Sequence, residues 1–480
     1  MKKIQIKLGI MLILAGIMVS ACNDTIDYSF HAKEGGVSET FAPLDTLVEF
    51  GRDSASLAVA SGLIPYLGTS SATWCRVENQ GYETRIVVDA NTTGNGRDTK
   101  VTLKGNGASY DITVSQAAFV HPGILHSPQG IERVRDLYER QPWPGGSSYY
   151  VMVDDGYASD QYKIKGPYEA IHHTQNRTSY ASDFKAAYEN AWMWILTGKE
   201  THARKALEIM RAYGAKKVNI NSATFEPMWL GGYAGSTWAN TAELLRYTYP
   251  AIRYQGGWNE EDTRMAECFS RIISDFIIAF LDNEDLNYNG NKWGIYATSG
   301  LKGLMASGVF MNDMTAYNRG VNEYKNGTTV GALNNFILPG GQNLLADVTA
   351  QHQYAQWELN ALAEACEIAW NQGTDLYAEL GNRLMQGFEY EAAYLLGQEV
   401  NCQVWPKVYP TLTQTGVVSQ ENKTQKAVWE LPYNHYTKIK GQAMPNTLQM
   451  LKQVRPEGQE TDLSVLHAIP GFGTLLFYID

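Results

Sequence analysis

Cysteine is scarce in this chain. Five cysteines are spread over 480 residues, and no two form a CxxC pair, which excludes a zinc ribbon or a dithiol redox motif. Cys75, Cys268, Cys366 and Cys402 are scattered, and Cys366 falls in an apolar helical pattern where a small buried hydrophobe is expected. Positive charge is also short: 39 Lys and Arg face 50 Asp and Glu, for a net charge of -11. A nucleic-acid partner wants a basic face, so that class is excluded. There is no P-loop, no HExxH and no GxSxG elbow. His172-His173 is the only adjacent histidine pair, and neighbouring side chains point to different sides of a helix or strand, so no metal site is expected. Beyond the first twenty residues no apolar run is long enough to cross a bilayer.

What is present begins at the N-terminus. Lys2, Lys3 and Lys7 precede an apolar run, Ile10 to Val19, too short for a comfortable span and typical of a targeting segment. It ends in Val19-Ser20-Ala21-Cys22, which resembles a bacterial lipobox. The resemblance implies a signal peptide over residues 1–21 and a lipid on the sulfur of Cys22, the new N-terminus. The chain is then expected at the bacterial cell envelope, held to the outer membrane and facing the periplasm or the surface. Losing residues 1–21 removes three lysines and makes the balance more acidic still. Any site for an acidic polymer must therefore gather its Lys and Arg locally. Aromatics are abundant, with 29 Tyr and 12 Trp. Such rings serve helix packing or stacking against the apolar face of a sugar.

The texture changes twice along the chain. Residues 22–40 are polar and read as a tether. From about Leu47, segments such as Thr84 to Asp89, Thr99 to Leu103 and Tyr110 to Ser115 alternate apolar and polar between Gly- and Asn-rich turns. This predicts a small β-sandwich over 41–119. After His121-Pro-Gly, amphipathic helices follow one another from 121 to 480, joined as hairpins. That pattern predicts an all-α (α/α) toroid, a ring of inner helices wrapped by an outer ring, with short strand-like pieces near the end such as Gly473 to Tyr478.

In the first module, Trp74, Asn91, Gly94, Arg97, Thr102 and the ending Thr113-Val-Ser-Gln116 resemble a BACON domain, an immunoglobulin-like sandwich. Trp74 is expected in its core. In the second, several segments resemble the alginate lyase-type polysaccharide lyases. They are His121-Pro-Gly, Asn240 with Glu243, Asn289-Gly-Asn-Lys-Trp293, Gly341-Gln-Asn, His352, Trp370 to Tyr377, Asn382 to Tyr390 and Tyr433-Asn-His-Tyr436. The resemblance implies β-elimination on a uronic-acid glycan, alginate or glucuronan-like, with no cofactor. A base takes the C5 proton, a cation or hydrogen-bond donor neutralises the carboxylate, and an acid protonates the departing O4. Carried over by position, His352 and Tyr433 are the catalytic pair. Asn291, Trp293, Gln342, Lys426 and Tyr436 are the substrate contacts, and the partner is an acidic polysaccharide.

The chain departs from its relatives at telling positions. Where they carry Glu, Arg and Asp before the histidine, it has Leu345, Val348 and Thr349, and where they carry an arginine upstream of the Tyr-Asn-His-Tyr motif, it has Ala427. Lys423 and Lys426 supply charge nearby without the bidentate fork of arginine. A second reading therefore stands beside the lyase: an impaired lyase scaffold that binds glycan at the cell surface. A toroidal glycoside hydrolase needs two carboxylates facing one cleft, and Glu243 and Asp375 lie among apolar helical neighbours.

Overall fold

The computed structural model describes residues 29–31, 40–41, 47–50, 52, 54–59, 64–91, 96–105, 107–172, 175–216, 219–220, 231–282, 294–329, 331–343, 352–400, 426–458 and 471–480. Two modules follow each other, a β-sandwich and a helical ring.

Nine strands, β1 (Ser29–His31), β2 (Thr40–Phe41), β3 (Leu47–Phe50), β4 (Ala55–Val59), β5 (Leu67–Ser70), β6 (Cys75–Gln80), β7 (Glu83–Val88), β8 (Arg97–Gly105) and β9 (Ala108–Gln116), form two sheets. Their orders are β1-β3-β9-β8-β5 and β2-β4-β7-β6. Period-two alternation explains the core: Thr84, Ile86 and Val88 on β7, Val101 and Leu103 on β8, and Ile112 and Val114 on β9 all turn inward. Val101 pairs opposite Ile112 across the antiparallel ladder. The stretch expected as a tether contributes Ser29–His31, which pairs in parallel with Leu47–Glu49. The sandwich thus draws on residues upstream of the expected boundary, because a few extended residues suffice to extend an edge. Trp74 is only half-buried, and the Arg97 guanidinium lies 4.4 Å over its ring.

The helical part opens with α1 (Pro128–Arg140). Ser127 accepts from the Gly130 amide and proline occupies the first helical position, while Ile131, Val134 and Leu137 form the buried stripe. Four hairpins follow: α2 (Arg177–Thr197) with α3 (Glu200–Gly214), α4 (Ser236–Thr248) with α5 (Glu260–Asp282), α6 (Gly294–Phe310) with α7 (Met314–Asn326), and α8 (His352–Asn371) with α9 (Glu379–Leu395). The first member of each is buried almost throughout, polar residues such as Asp183 and Glu243 included, as from Tyr180 to Leu196 on α2 and Ala297 to Phe310 on α6. The second members are amphipathic, with one solvated face. Inner helices α2, α4, α6 and α8 pack successively on one another with the outer ones around them, the (α/α) arrangement expected. A short α10 (Glu430–Asn434), continued by a wider turn at His435–Ile439, and α11 (Pro445–Val454) complete the ring.

The expected strand-like piece at Gly473 is a helical turn, Gly473–Leu476. Its Thr474 hydroxyl donates to Glu430 Oε2 at 3.0 Å and accepts from the Glu457 amide at 2.8 Å, so side-chain bonding fixes a turn where alternation alone points to a strand. The two modules meet at Gln372: its side chain accepts from the Val120 amide at 2.8 Å, and its carbonyl accepts from Arg52 Nη1 at 2.7 Å.

Within hairpins the connections are short, such as Gly198–Lys199 and residues 311–313. The N-terminal ends of the inner helices therefore share one rim, opposite these short connections.

Candidate functional site

His352 is the first residue of α8 and lies at that rim. Its ring is held twice. Nδ1 sits 2.9 and 3.1 Å from the two carboxylate oxygens of Glu391 on α9, and Tyr394, one turn further on, stacks on the ring face at 3.7 Å with an interplanar angle of 13°. Nε2 is buried and has no hydrogen-bond partner among the described residues. Glu391 is fully buried and also receives Asn343 Nδ2 at 3.4 Å, which reaches the Gly387 carbonyl at 3.0 Å. Burial and the neighbouring Glu391 charge push the Tyr394 phenol above its ordinary range, so it stays protonated.

Two glycines make this geometry possible. Gly341 adopts φ +97°, and a Cβ there would fall 2.2 Å from the Gln386 carbonyl. The tight turn it allows, with the Leu338 amide bonded to the Gln342 carbonyl at 2.9 Å, delivers Asn343 to α9. At Gly387 a Cβ would lie 2.9 Å from Asn343 Oδ1 and 2.7 Å from Ile337 Cδ1. Only a bare Cα lets α9 come that close.

The sequence-derived candidates fall into three groups. Gln342 and Lys426 gather around the start of α8 with His352. Gln342 precedes Asn343 and lines an open groove of about 360 Å³ together with Met385, Gln386, Glu389, Tyr390 and Asn446. The Lys426 amide donates to Gln356 Oε1 at 2.8 Å, and Gln356 Nε2 reaches the His352 carbonyl at 3.4 Å. Lys426 Nζ stands 4.7 Å over the Trp357 ring, a cation–π contact one turn along from the histidine.

Tyr433 belongs to a second group, on α10. It is half-buried, with the Arg455 guanidinium 5.7 Å from its ring centroid, and no hydrogen bond joins it to His352. Arg455 is itself held by Glu430 through two bonds of 2.9 and 2.6 Å. Tyr436 is fully buried, and its hydroxyl donates to the Tyr377 carbonyl at 2.9 Å. A sugar contact there requires that bond to break. The third group, Asn291 and Trp293, lies outside the described residues, as do Cys22, Leu345, Val348, Thr349 and Lys423.

Other marked residues are braces. His435 stacks on Tyr377 at 3.6 Å, edge-on to Trp370. Arg383 donates to the Ile337 carbonyl at 2.9 Å, and Glu389 accepts from the Asn446 and Thr447 amides at the start of α11. Glu243 binds His121, and Asp375 pairs with Lys440, so neither carboxylate is placed as one of a glycosidase pair. Among the described residues no cluster of three or more His, Cys, Asp or Glu is arranged to hold a metal, and no helix is long and apolar enough to cross a membrane.

Glu391 carries no flag in simple motif reading, whereas Asn343 closes the Gly341-Gln-Asn segment; the sequence still holds a signal for the acid. Leu384, Phe388, Glu391 and Leu395 fall at i, i+4, i+7 and i+11, so Glu391 occupies a position of the buried stripe of α9. An acid on such a stripe demands a partner.

An arrangement of this kind presents one ring nitrogen for proton transfer while a carboxylate holds the other. Comparison with known proteins agrees with the architecture around it. The family model described as alginate lyase matches residues 133–401, and the BACON model, an N-terminal binding domain, matches residues 66–117. No curated protein matches the chain. Among solved structures, a Bacteroides ovatus GH5 xyloglucanase in complex with a XXXG heptasaccharide aligns over 73% of this chain and 88% of its own at 14% identity, but at a TM-score of 0.17 it carries no argument. The alginate lyase match spans more than half of the chain, and the chain belongs to the alginate lyase family of polysaccharide lyases, with a BACON domain ahead of the helical ring.

Proposed function

We propose that this chain is an active lyase that cleaves a uronic-acid-containing glycan, of the alginate or glucuronan kind, by β-elimination. The carrying observation is the His352 ring, fixed by Glu391 on one nitrogen and by Tyr394 on its face, with the other nitrogen unpartnered among the described residues. The C5 proton passes to an enzyme base, the C5–H electrons form the C4=C5 double bond, and the C4–O4 bond breaks with a proton supplied to O4. Tyr433 handles protons, and His352 assists as base or as the group that neutralises the carboxylate. The Lys426 amide is bonded to Gln356, one turn up α8 from His352, and Lys426 is assigned to stand in for the arginines this chain lacks. Incubating the mature protein with alginate, glucuronan and glycosaminoglycans tests the reading: an unsaturated uronate end absorbs in the ultraviolet, and hydrolysis leaves none.

The second reading, a surface glycan binder on a lyase scaffold, draws on one observation: Tyr433 and His352 are held by separate networks with no hydrogen bond between them. Binding of a uronic polymer without elimination selects it. The lipobox adds a proposal on location, with the protein tied to the envelope through Cys22. A Cys22→Ala variant that stays with membranes after washing contradicts it.

A further inference from the structure

The geometry points to Glu391 as the positioning residue of the elimination site, the group that assigns His352 the role of base rather than of donor to the substrate carboxylate. This rests on the reading of His352 given above. An ionised carboxylate only accepts hydrogen bonds. With both Glu391 oxygens within 3.1 Å of Nδ1, the proton of neutral imidazole resides on Nδ1, and Nε2 presents its lone pair. Glu391 is fully buried, so no water competes for that contact, and the Asn343 amide donates to its Oε2 at 3.4 Å. Tyr394 removes the remaining freedom by stacking on the ring face. Edge and face are therefore both fixed before substrate arrives, and the carboxylate is already in place to stabilise the imidazolium. In the step itself the C5–H bond breaks, its proton goes to Nε2, the electron pair closes the C4=C5 double bond, and O4 leaves with a proton from Tyr433. The imidazolium then gives its proton to solvent, and the Tyr433 phenolate takes one from it.

The test uses the full chain with histidine rings labelled with nitrogen-15. In the wild type, neutral His352 is expected to show the Nδ1–H tautomer with a bare Nε2. Observation of the Nε2–H tautomer overturns the proposal whatever the variants do. In Glu391→Gln the amide NH₂ donates, so the Nε2–H tautomer gains population. The kcat then falls by about 10²-fold or more, in line with the cost of a wrong histidine tautomer in a triad enzyme, while KM stays within about threefold. An unchanged tautomer in a folded Glu391→Gln variant, or an unchanged kcat where His352→Ala is inactive, also overturns it. If His352→Ala keeps full activity, the catalytic reading of His352 fails, and the base role assigned to it falls with that reading even if the tautomer result stands. If Glu391→Gln does not fold, the wild-type tautomer decides alone.

Discussion

Among the described residues, two buried histidine–glutamate pairs lie within hydrogen-bond distance, and they are finished differently. His121, in the linker entering the ring, gives Nδ1 to Glu243 at 2.6 Å and has Nε2 3.0 Å from the Asn312 side chain, while Glu243 also accepts from the Gly123 amide at 2.7 Å. Both ring nitrogens are used. Burial alone would lower the pKa of His121, but the Glu243 charge and hydrogen bond, with Asn312, raise it above the ordinary value. His352 has the same carboxylate on Nδ1, a tyrosine on its face and nothing described on Nε2. A pair closed on every atom fastens the linker to the ring. A pair closed on one side is prepared for a reaction partner. The difference lies in how many ring atoms are committed, not in the residue types.

The sharpest way to break this comparison is to remove the proton-handling groups. His352→Ala and Tyr433→Phe are each expected to lower kcat by about 10²- to 10⁴-fold, the usual cost of losing a general acid or base, with the melting temperature nearly unchanged for Tyr433→Phe, since it loses only a hydroxyl. Steady-state rates beside a thermal melt check both. The mirror experiment is Glu243→Ala, which leaves the buried His121 ring and the Gly123 amide without their partner and should cost about 1 to 3 kcal/mol of stability for each group stranded, read by denaturant unfolding. If Glu243→Ala instead abolishes turnover in a protein of unchanged stability, the division of labour between the two pairs is wrong.

Both pairs were half legible in the sequence. His121-Pro-Gly, Glu243, His352 and the Tyr433 to Tyr436 motif all stand out as residues, and helical periodicity alone points to the ring. The partners were not legible. Glu391 is 39 positions from His352 and Glu243 is 122 from His121, and such pairings exist only once α9 packs on α8 and the linker crosses α4. Tyr436 reads as a substrate contact by motif, and the structure commits its hydroxyl to the Tyr377 carbonyl in the α8–α9 connection, with the two rings packed edge-on. Helix against strand failed at Gly473 for the same reason: a Thr–Glu bond outweighs six residues of alternation.

A third pair sharpens the electrostatic side. Glu457 and Glu430 are buried beside one another, with Glu457 accepting from the Trp429 and Glu430 amides at 2.7 and 3.2 Å. Burial first, and then the Glu430 charge, push Glu457 from an ordinary 4.5 to about 8. The folded state then holds a proton that the unfolded chain releases near 4.5, so this residue makes stability fall as pH rises from 4.5 to about 8. His121 acts in the same direction, its contribution being lost as pH rises through its raised value. Glu457→Gln keeps the shape and removes the titration. Its unfolding free energy should therefore vary less over that interval than the wild type's, and equal slopes would contradict the assignment.

The smallest expected effect concerns the missing arginine. Ala427 lies between Lys426, over Trp357, and Val428. Ala427→Arg, alone or with Val348→Arg, should raise activity several-fold if carboxylate neutralisation limits the reaction. Unchanged rates in both mean that Lys426 already suffices or that another step limits turnover.

The central claim is elimination at a site where His352 and Tyr433 move protons. One measurement addresses it most directly: ultraviolet absorbance during incubation of the mature wild type and of Tyr433→Phe with alginate, glucuronan and glycosaminoglycans. A steady rise on at least one uronic polymer with the wild type, and none on the same polymer with Tyr433→Phe, is the predicted result. Absorbance that never rises with the wild type on any of them, or that rises equally with the variant, contradicts the account.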